Sequence, residues 1–255
     1  MYVKINPVSG EHMLKDHQDA YGHLLYGYFS SKTGQEIVER DDGYISAHDG
    51  PKVYFTEYKD WPPQQRKAMR YARGRILDIG SGAGRHSLYL QAKGLEVTGI
   101  DNSPMAIEVC RLRGLRNARV VPISQITPKL GVFDTILMLG NNFGLFGSFQ
   151  GARRILKKLS RMTSRSGRII AESNDIYQTE NPEHLAYHKH NRDRGRMAGQ
   201  VRLRVRYRKY ATPWFDYLMV SKDEMENILD GTGWKISRFI EPGGSLYIAI
   251  IDKKR

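Results

Sequence analysis

The chain has one cysteine, Cys110, in 255 residues, which excludes an internal disulfide and any metal site built from several thiolates. Cys110 lies among Ile107, Val109 and Leu112, so it reads as a small apolar residue on the buried face of a helix rather than as a reactive thiol. Long apolar runs are also missing, and nothing approaches the roughly 20 residues that span a bilayer. The opening MYVKINPVSGEHMLKDHQ lacks the charged-then-apolar order of a secretory leader. The expectation is a cytoplasmic protein with no membrane partner; its oligomeric state is not written in the sequence. No period of 20 to 50 residues recurs and no tract is low in complexity. Acidic residues are the scarcer charge, and scarcest in residues 151–210, with five acids against sixteen Lys and Arg. That asymmetry fits a solvated basic face, and it also leaves an anionic substrate or nucleic acid open as a partner.

What is present suits a folded enzyme-sized domain. Hydrophobic residues make up 40% and charged residues 26%, and the length is enough to bury a full core in one large domain with additions. From residue 75 onward, strand-like and helix-like segments alternate. The expected strands are Arg75–Gly80, Glu96–Asp101, Val120 to Ile123, Phe133–Leu139 and Arg168–Ala171. The expected helices are Arg85–Lys93, Pro104–Arg113 and Arg153–Met162. Pro104 falls in a first turn, where its missing N–H costs nothing. Repeated strand–helix–strand units with right-handed crossovers predict an α/β, doubly wound, mostly parallel sheet. Near the C-terminus, Lys222–Asp230 reads as a helix, and Lys235–Ile240 and Leu246–Ile251 as antiparallel strands joined by a short loop.

Two further pieces flank this core. Tyr21, Leu24, Leu25 and Tyr28 stand at helical spacing, followed by Glu36–Arg40 and Tyr44–Ala47 on either side of Asp41-Asp-Gly43, which reads as a hairpin. Val201–Tyr210 and Trp214–Val220 read as a second pair of strands. In the first run Arg202, Arg204, Arg206 and Arg208 share one face, and Val201, Leu203, Val205 and Tyr207 share the other. Just before it, His184, His188 and His190 lie in a polar stretch that reads as a solvated loop, although His184 and His188 would share a face on a helix. No metal is expected.

The stretch RILDIGSGAGRHSLYL concentrates the chemistry. Gly80, Gly82 and Gly84 stand at alternate positions between an apolar strand and a helix, at the edge where such sheets bind ligands. The dinucleotide fingerprint G-x-G-x-x-G is not met, because Arg85 stands where the third glycine would fall. Positive charge at Arg85 and His86 opposes the helix dipole, so Arg85 either faces solvent or pairs with an acid or a cofactor carboxylate.

LDIGSGAG followed by VTGIDNSP resembles the first two signatures of the class I S-adenosylmethionine-dependent methyltransferases. The resemblance runs from about Trp61 to Arg255. It implies a seven-stranded sheet of order 3-2-1-4-5-7-6 with the last strand antiparallel. It also implies a methyltransferase domain at 61–255, an N-terminal lid at 1–60 and an inserted substrate cap at 174–220. The cofactor implied is S-adenosylmethionine, released as S-adenosylhomocysteine. By the resemblance Asp101 accepts both ribose hydroxyls, Asp78 braces the glycine loop, and Gly80, Ser81, Gly82 and Gly84 let the cofactor lie against the backbone. Asn102 and Met105 would line the adenine, with Ser124 where the family often has an acid. Leu139 and Asn141, at the end of the fourth strand where the family presents groups to the transferring methyl, would also contact the cofactor, whose methionine end Asp78 would orient. Substrate-side candidates are Asn141, Asn142, Tyr177 and His184. The Asn141-Asn142-Phe143-Gly144 segment lacks the Pro-Pro of enzymes that methylate amide or base nitrogens, which points to a small-molecule acceptor. An RNA methyltransferase using the basic 151–210 segment, and a cofactor-binding protein without turnover, are the alternatives.

Overall fold

The computed structural model describes residues 13–48 and 50–254; the first twelve residues of the expected 1–60 extension, Asp49 and Arg255 lie outside it. The chain begins with α1 (Ala20–Ser31), β1 (Glu36–Arg40) and β2 (Ile45–His48). The core follows as α2 (Pro63–Met69), β3 (Arg75–Ile79), α3 (Arg85–Ala92), β4 (Glu96–Asp101), α4 (Pro104–Leu112), β5 (Ala118–Val120), β6 (Phe133–Met138), α5 (Phe149–Arg161) and β7 (Thr163–Asn174). An insertion contributes α6 (Pro182–Asp193), β8 (Gln200–Tyr207), β9 (Tyr210–Ala211) and β10 (Phe215–Leu218). The core closes with α7 (Lys222–Leu229), β11 (Trp234–Ile240) and β12 (Leu246–Lys253).

Seven strands form the main sheet in the order β11-β12-β7-β6-β3-β4-β5. The pairs β3–β4, β3–β6, β4–β5 and β6–β7 are parallel, and β12 runs antiparallel to both β7 and β11. This is the expected order with the expected reversed strand. Successive side chains of a strand point to opposite faces, and here both faces are apolar. Leu77, Ile79, Ile136 and Met138 meet Ile155, Leu156 and Leu159 of α5 and Met225, Ile228 and Leu229 of α7. Ile76 and Leu137 meet Trp61, Ala68 and Met69 on the other side. A strand covered on both faces needs a nearly continuous apolar sequence, which is why Phe133–Met138 carries one.

The second sheet is antiparallel, in the order β10-β8-β1-β2 with β9 beside β8. The N-terminal hairpin and the inserted strands, read separately from sequence, are therefore one sheet. Val201, Val205 and Tyr207 are buried on one face, with Ala20 and Leu24 of α1 against Val205 and Tyr207. The arginine face is tied to acids: Arg204 makes a forked contact with Glu39 at 2.7 and 2.9 Å, Arg206 reaches Glu39 at 3.4 Å, and Asp216 takes Arg196 at 2.8 Å and Arg202 at 3.5 Å. Arg208 leaves that face, because β8 ends at Tyr207 and Arg208 turns with φ of 51°.

Three local expectations are corrected. The third core strand is Ala118–Val120, and Ile123–Gln125 is a 3-10 turn started after Pro122, which has no N–H for a ladder. The fifth strand is longer than Arg168–Ala171, because β12 pairs along it from Arg168 to Asn174. The histidine stretch is helix α6, capped by Asn181, with His188 buried and His190 exposed.

Candidate functional site

The glycine loop turns at the end of β3 by giving two backbone N–H groups, from Gly80 and Ser81, to the single carbonyl of Ile100 at 2.9 and 3.0 Å. Gly80 has φ of 72°, and a Cβ there would stand 2.6 Å from Asn142 Nδ2. That amide donates to the carbonyls of Ile79 and Gly80 at 3.0 and 2.9 Å, so Asn142 fastens the β6 loop to the glycine loop. The Cys110 thiol donates to the Gly82 carbonyl at 3.1 Å, and burial pushes the thiol up to about 12. The thiol is thus a structural bracket under the loop.

Two carboxylates flank the turn. Asp78 accepts from Ser87 Oγ at 2.6 Å, and Asp101 accepts from the N–H of Gly82 and of Ser103 at 3.0 Å each. Both are nearly enclosed, and burial raises each from the usual aspartate range to about 6. Desolvation outweighs the hydrogen bonds that favour their charge. Buried acids in this state fit a cationic ligand, whose charge favours their ionised form, and each Asp101 oxygen has lone-pair capacity beyond its one backbone bond.

The other expected contacts gather around these groups. The Val121 N–H bonds the Asp101 carbonyl at 2.8 Å, which brings the turn bearing Ser124 beside the end of β4. Asn102 and Met105 stand at the start of α4 and Leu139 is buried at the end of β6. An unforeseen segment also reaches this edge. Asp19, the N-cap of α1, takes the Met105 N–H at 2.9 Å, and the Leu14 N–H bonds the Asn102 carbonyl at 3.2 Å. These bonds lay α1 over the glycine loop, with the Tyr21 hydroxyl 3.1 Å from where a Gly82 Cβ would stand.

Arg85 is not turned to solvent, and Glu172 is the acid whose charge acts on it most. Arg85 is partly buried over Trp61 and donates to Val53 O at 3.0 Å, Thr56 Oγ1 at 3.3 Å and Gln65 Oε1 at 2.8 Å, tying the turn before α2 and α2 itself to α3. His86 is buried beside it, and desolvation holds its imidazole well below the usual histidine range.

Opposite α1 stands the end of β6. Glu172 of β7 is buried and accepts from the backbone of Gly140 and Asn141 at 2.5 and 3.2 Å and from Gln65 Nε2 at 2.9 Å. These N–H groups converge because Gly140 and Asn141 both adopt positive φ, 75° and 63°. Tyr217 of β10 donates to the Asn141 carbonyl at 2.6 Å and lies across Gly144. Tyr21, Tyr54 and Tyr217, each half-buried, stand along this edge.

Of the substrate-side candidates, Asn141 and Asn142 stand at this edge, beside Tyr217 and the glycine loop. Tyr177 is exposed and donates to Glu224 at 2.7 Å, and His184 lies in α6 against Thr179 and Tyr44. Neither makes a described contact with the glycine loop or the β6 loop. Sequence reasoning missed Asp19, Glu36, Tyr54, Gln65, Glu172 and Tyr217. A lone acid inside the apolar Arg168–Ser173 run was the one available signal, for Glu172.

Residues 76–167 match the family described as a methyltransferase domain. A solved S-adenosylmethionine-dependent methyltransferase from Bacteroides fragilis, in complex with S-adenosyl-L-homocysteine, superposes with a TM-score of 0.81. It is 27% identical, covering 96% of this chain and 99% of that one. Among curated proteins, a tRNA (uracil(54)-C(5))-methyltransferase from Pyrococcus horikoshii is 27% identical over 54% of this chain and 34% of its own length. A ubiquinone biosynthesis O-methyltransferase from Bordetella bronchiseptica is 32% identical over 28% of this chain and 32% of its own. The chain spans about a third or less of the length of the curated relatives it matches.

The methyltransferase-domain match, the seven-stranded sheet and the likeness to the Bacteroides fragilis structure support a class I S-adenosylmethionine-dependent methyltransferase. The same likenesses support S-adenosylmethionine as the cofactor. No helix among the described residues is long and apolar enough to cross a membrane.

Proposed function

We propose that the chain transfers the cofactor's methyl group to a small molecule held in the recess between the two sheets. The observation that carries this reading is the enclosure. α1 lies over the glycine loop, Tyr217 of the edge strand β10 is bonded to Asn141, and Tyr54 donates to Glu36 of the inner strand β1, so the antiparallel sheet approaches the edge proposed to bind the cofactor at two points. A single nucleotide loop or a compact metabolite fits beneath such a roof more readily than a duplex. The ion pairing of Arg202, Arg204 and Arg206 with Asp216 and Glu39 further reduces what β8 offers to phosphates.

When bound, S-adenosylmethionine supplies a methyl group already activated on a sulfonium. The protein's part is then alignment and exclusion of water. Asp101 and the turn bearing Ser124 hold the nucleoside side, and the glycine loop with Asp78 receives the methionyl side. Asn141, fixed through Glu172 and Tyr217, faces the acceptor. The segment 174–220 acts as the substrate cap together with residues 13–48.

Transfer of labelled methyl from S-adenosylmethionine, measured side by side in a small-metabolite fraction and in total RNA, tests the reading. Label is expected in the small-molecule fraction. Label in RNA, lost when Arg154, Lys157 and Arg161 are replaced, supports the RNA alternative instead. Tight cofactor binding with label in neither fraction supports a protein without turnover.

A further inference from the structure

The recess has a one-sided chemistry. Tyr21 and Tyr54 meet edge to face with centroids 5.3 Å apart, and Tyr54 donates to Glu36 Oε2 at 3.1 Å. Glu36 stands on one wall, in β1 of the antiparallel sheet, and Glu172 on the other, in β7 of the main sheet; both are buried. Tyr217, bonded to the Asn141 carbonyl, feels the charge of both. Beside it the Asn141 side-chain oxygen is enclosed with no hydrogen-bond partner among the described residues, so it can accept an N–H.

Two guanidiniums border these walls, with their N–H groups bonded to neutral oxygens. Arg85 gives its N–H groups to Val53, Thr56 and Gln65, and Arg113 gives Nη1 to the carbonyls of Ala83 and Tyr54 at 2.5 and 3.5 Å. The described walls present tyrosine faces, two carboxylates and an orphaned amide oxygen, with the Arg85 charge acting on Glu172, Tyr21 and Tyr54 from behind Gln65. Burial also raises all three tyrosine hydroxyls, so they stay protonated and serve as rings and donors rather than as bases.

We infer that the methyl acceptor is an amine, held as its ammonium between the faces of Tyr21, Tyr54 and Tyr217 with N–H groups toward Asn141 and the Glu36–Glu172 walls. This rests on the small-molecule reading of the site. Aromatic faces attract an ammonium through their quadrupoles, and flanking carboxylates add to that attraction. A carboxylate acceptor finds like charge on both walls, and an alcohol finds no strong base to take its proton. The amine sheds one proton to a recess carboxylate or water. Its nitrogen lone pair then bonds the methyl carbon as the carbon–sulfur bond breaks toward sulfur. The positive charge passes from the sulfonium to the methylated nitrogen, and the thioether leaves neutral.

The test uses the whole protein saturated with S-adenosylhomocysteine, titrated with two matched trios: benzylamine, benzyl alcohol and benzoate, and butylamine, butanol and butyrate. Tyrosine fluorescence and calorimetry report binding without turnover. In at least one trio the amine is expected to bind tenfold or more tightly than its alcohol, with the acid weakest. Glu36→Gln is expected to reduce that preference at least fivefold while S-adenosylhomocysteine affinity stays within twofold. An alcohol or acid that binds as well as the amine in both trios overturns the inference, and so does an unchanged preference in a folded Glu36→Gln protein. The wild-type comparison decides even where that variant fails to fold. Methyl transfer to an alcohol, with S-adenosylhomocysteine formed, overturns the amine and leaves the small-molecule reading standing.

Discussion

In the main sheet β3 and β6 are apolar on both faces, and helices from neighbouring sequence cover them. In the antiparallel sheet β1 pairs with a strand whose contact residues lie 165 positions away, and one face is laced by Glu39, Arg204 and Arg206. Burial of hydrocarbon holds the first; backbone pairing and partly exposed ion pairs hold much of the second. Exposed ion pairs contribute only about 0–1 kcal/mol each, so the cap is the sheet that can open without unfolding the core. On the proposed function, the difference divides the work into a rigid edge for the cofactor and a separable roof for the acceptor.

Substitutions can break or sharpen that contrast. Ile136→Ala, at a fully buried position of β6, is expected to destabilise global unfolding by about 4 kcal/mol, since it removes side-chain volume from a packed core; denaturant unfolding with a shift under about 1 kcal/mol would contradict the rigid core. Asp101→Ala is expected to weaken S-adenosylhomocysteine binding by about 3 kcal/mol through lost charge-assisted hydrogen bonds. Calorimetry showing affinity within twofold of wild type would remove Asp101 from the cofactor site.

Acidity gives a third measurement. An ordinary aspartate loses its proton near 4, whereas Asp78 and Asp101 hold theirs to about 6. Across that interval the ligand-free folded chain binds more protons than the unfolded one, so these two groups lower its stability as pH rises. Binding of a cationic cofactor should show the opposite trend and strengthen as pH rises through about 6, because both acids then ionise. Thermal melts with and without S-adenosylmethionine at pH 5 and pH 7 check both signs, and a stabilisation by cofactor that shrinks toward pH 7 would contradict this account. The smallest effect belongs to the roof. Glu39→Gln should cost about 1 kcal/mol or less in global stability, yet raise proteolysis within 200–218 and make acceptor KM more sensitive to salt. Unchanged proteolysis would mean that the cap does not depend on these pairs.

Local pattern carried the main sheet well. Gly80, Gly82, Gly84 and Asp101 were legible because strand, turn and acid follow one another within 27 residues, from Arg75 to Asp101. The cap was legible as strands but not as one sheet, since alternation at Val201–Tyr207 specifies a buried face without naming the neighbour. The hydrogen-bond acceptors of Arg85 were not legible because they come from a 3-10 turn and from α2, neither of which its own helix reveals. Glu36, Tyr54 and Tyr217 lie far apart in sequence and meet only through tertiary packing. Asp19 was hidden for the same reason: its second role, capping α4 from outside, is invisible in the chain around it.

The pairing of β1 with β8 also sets a timetable on the ribosome. Glu39 leaves the exit tunnel 165 residues before Arg204, which at 5–20 residues per second is roughly ten to thirty seconds. During that interval β1 and β2 form at most an isolated hairpin, which is marginal in water. Synthesis of the central strands proceeds behind them. The nascent N-terminal segment must therefore stay unaggregated until its partner arrives, so codon usage or chaperone supply between residues 40 and 200 should govern the yield of active protein more than the stability of the finished fold does.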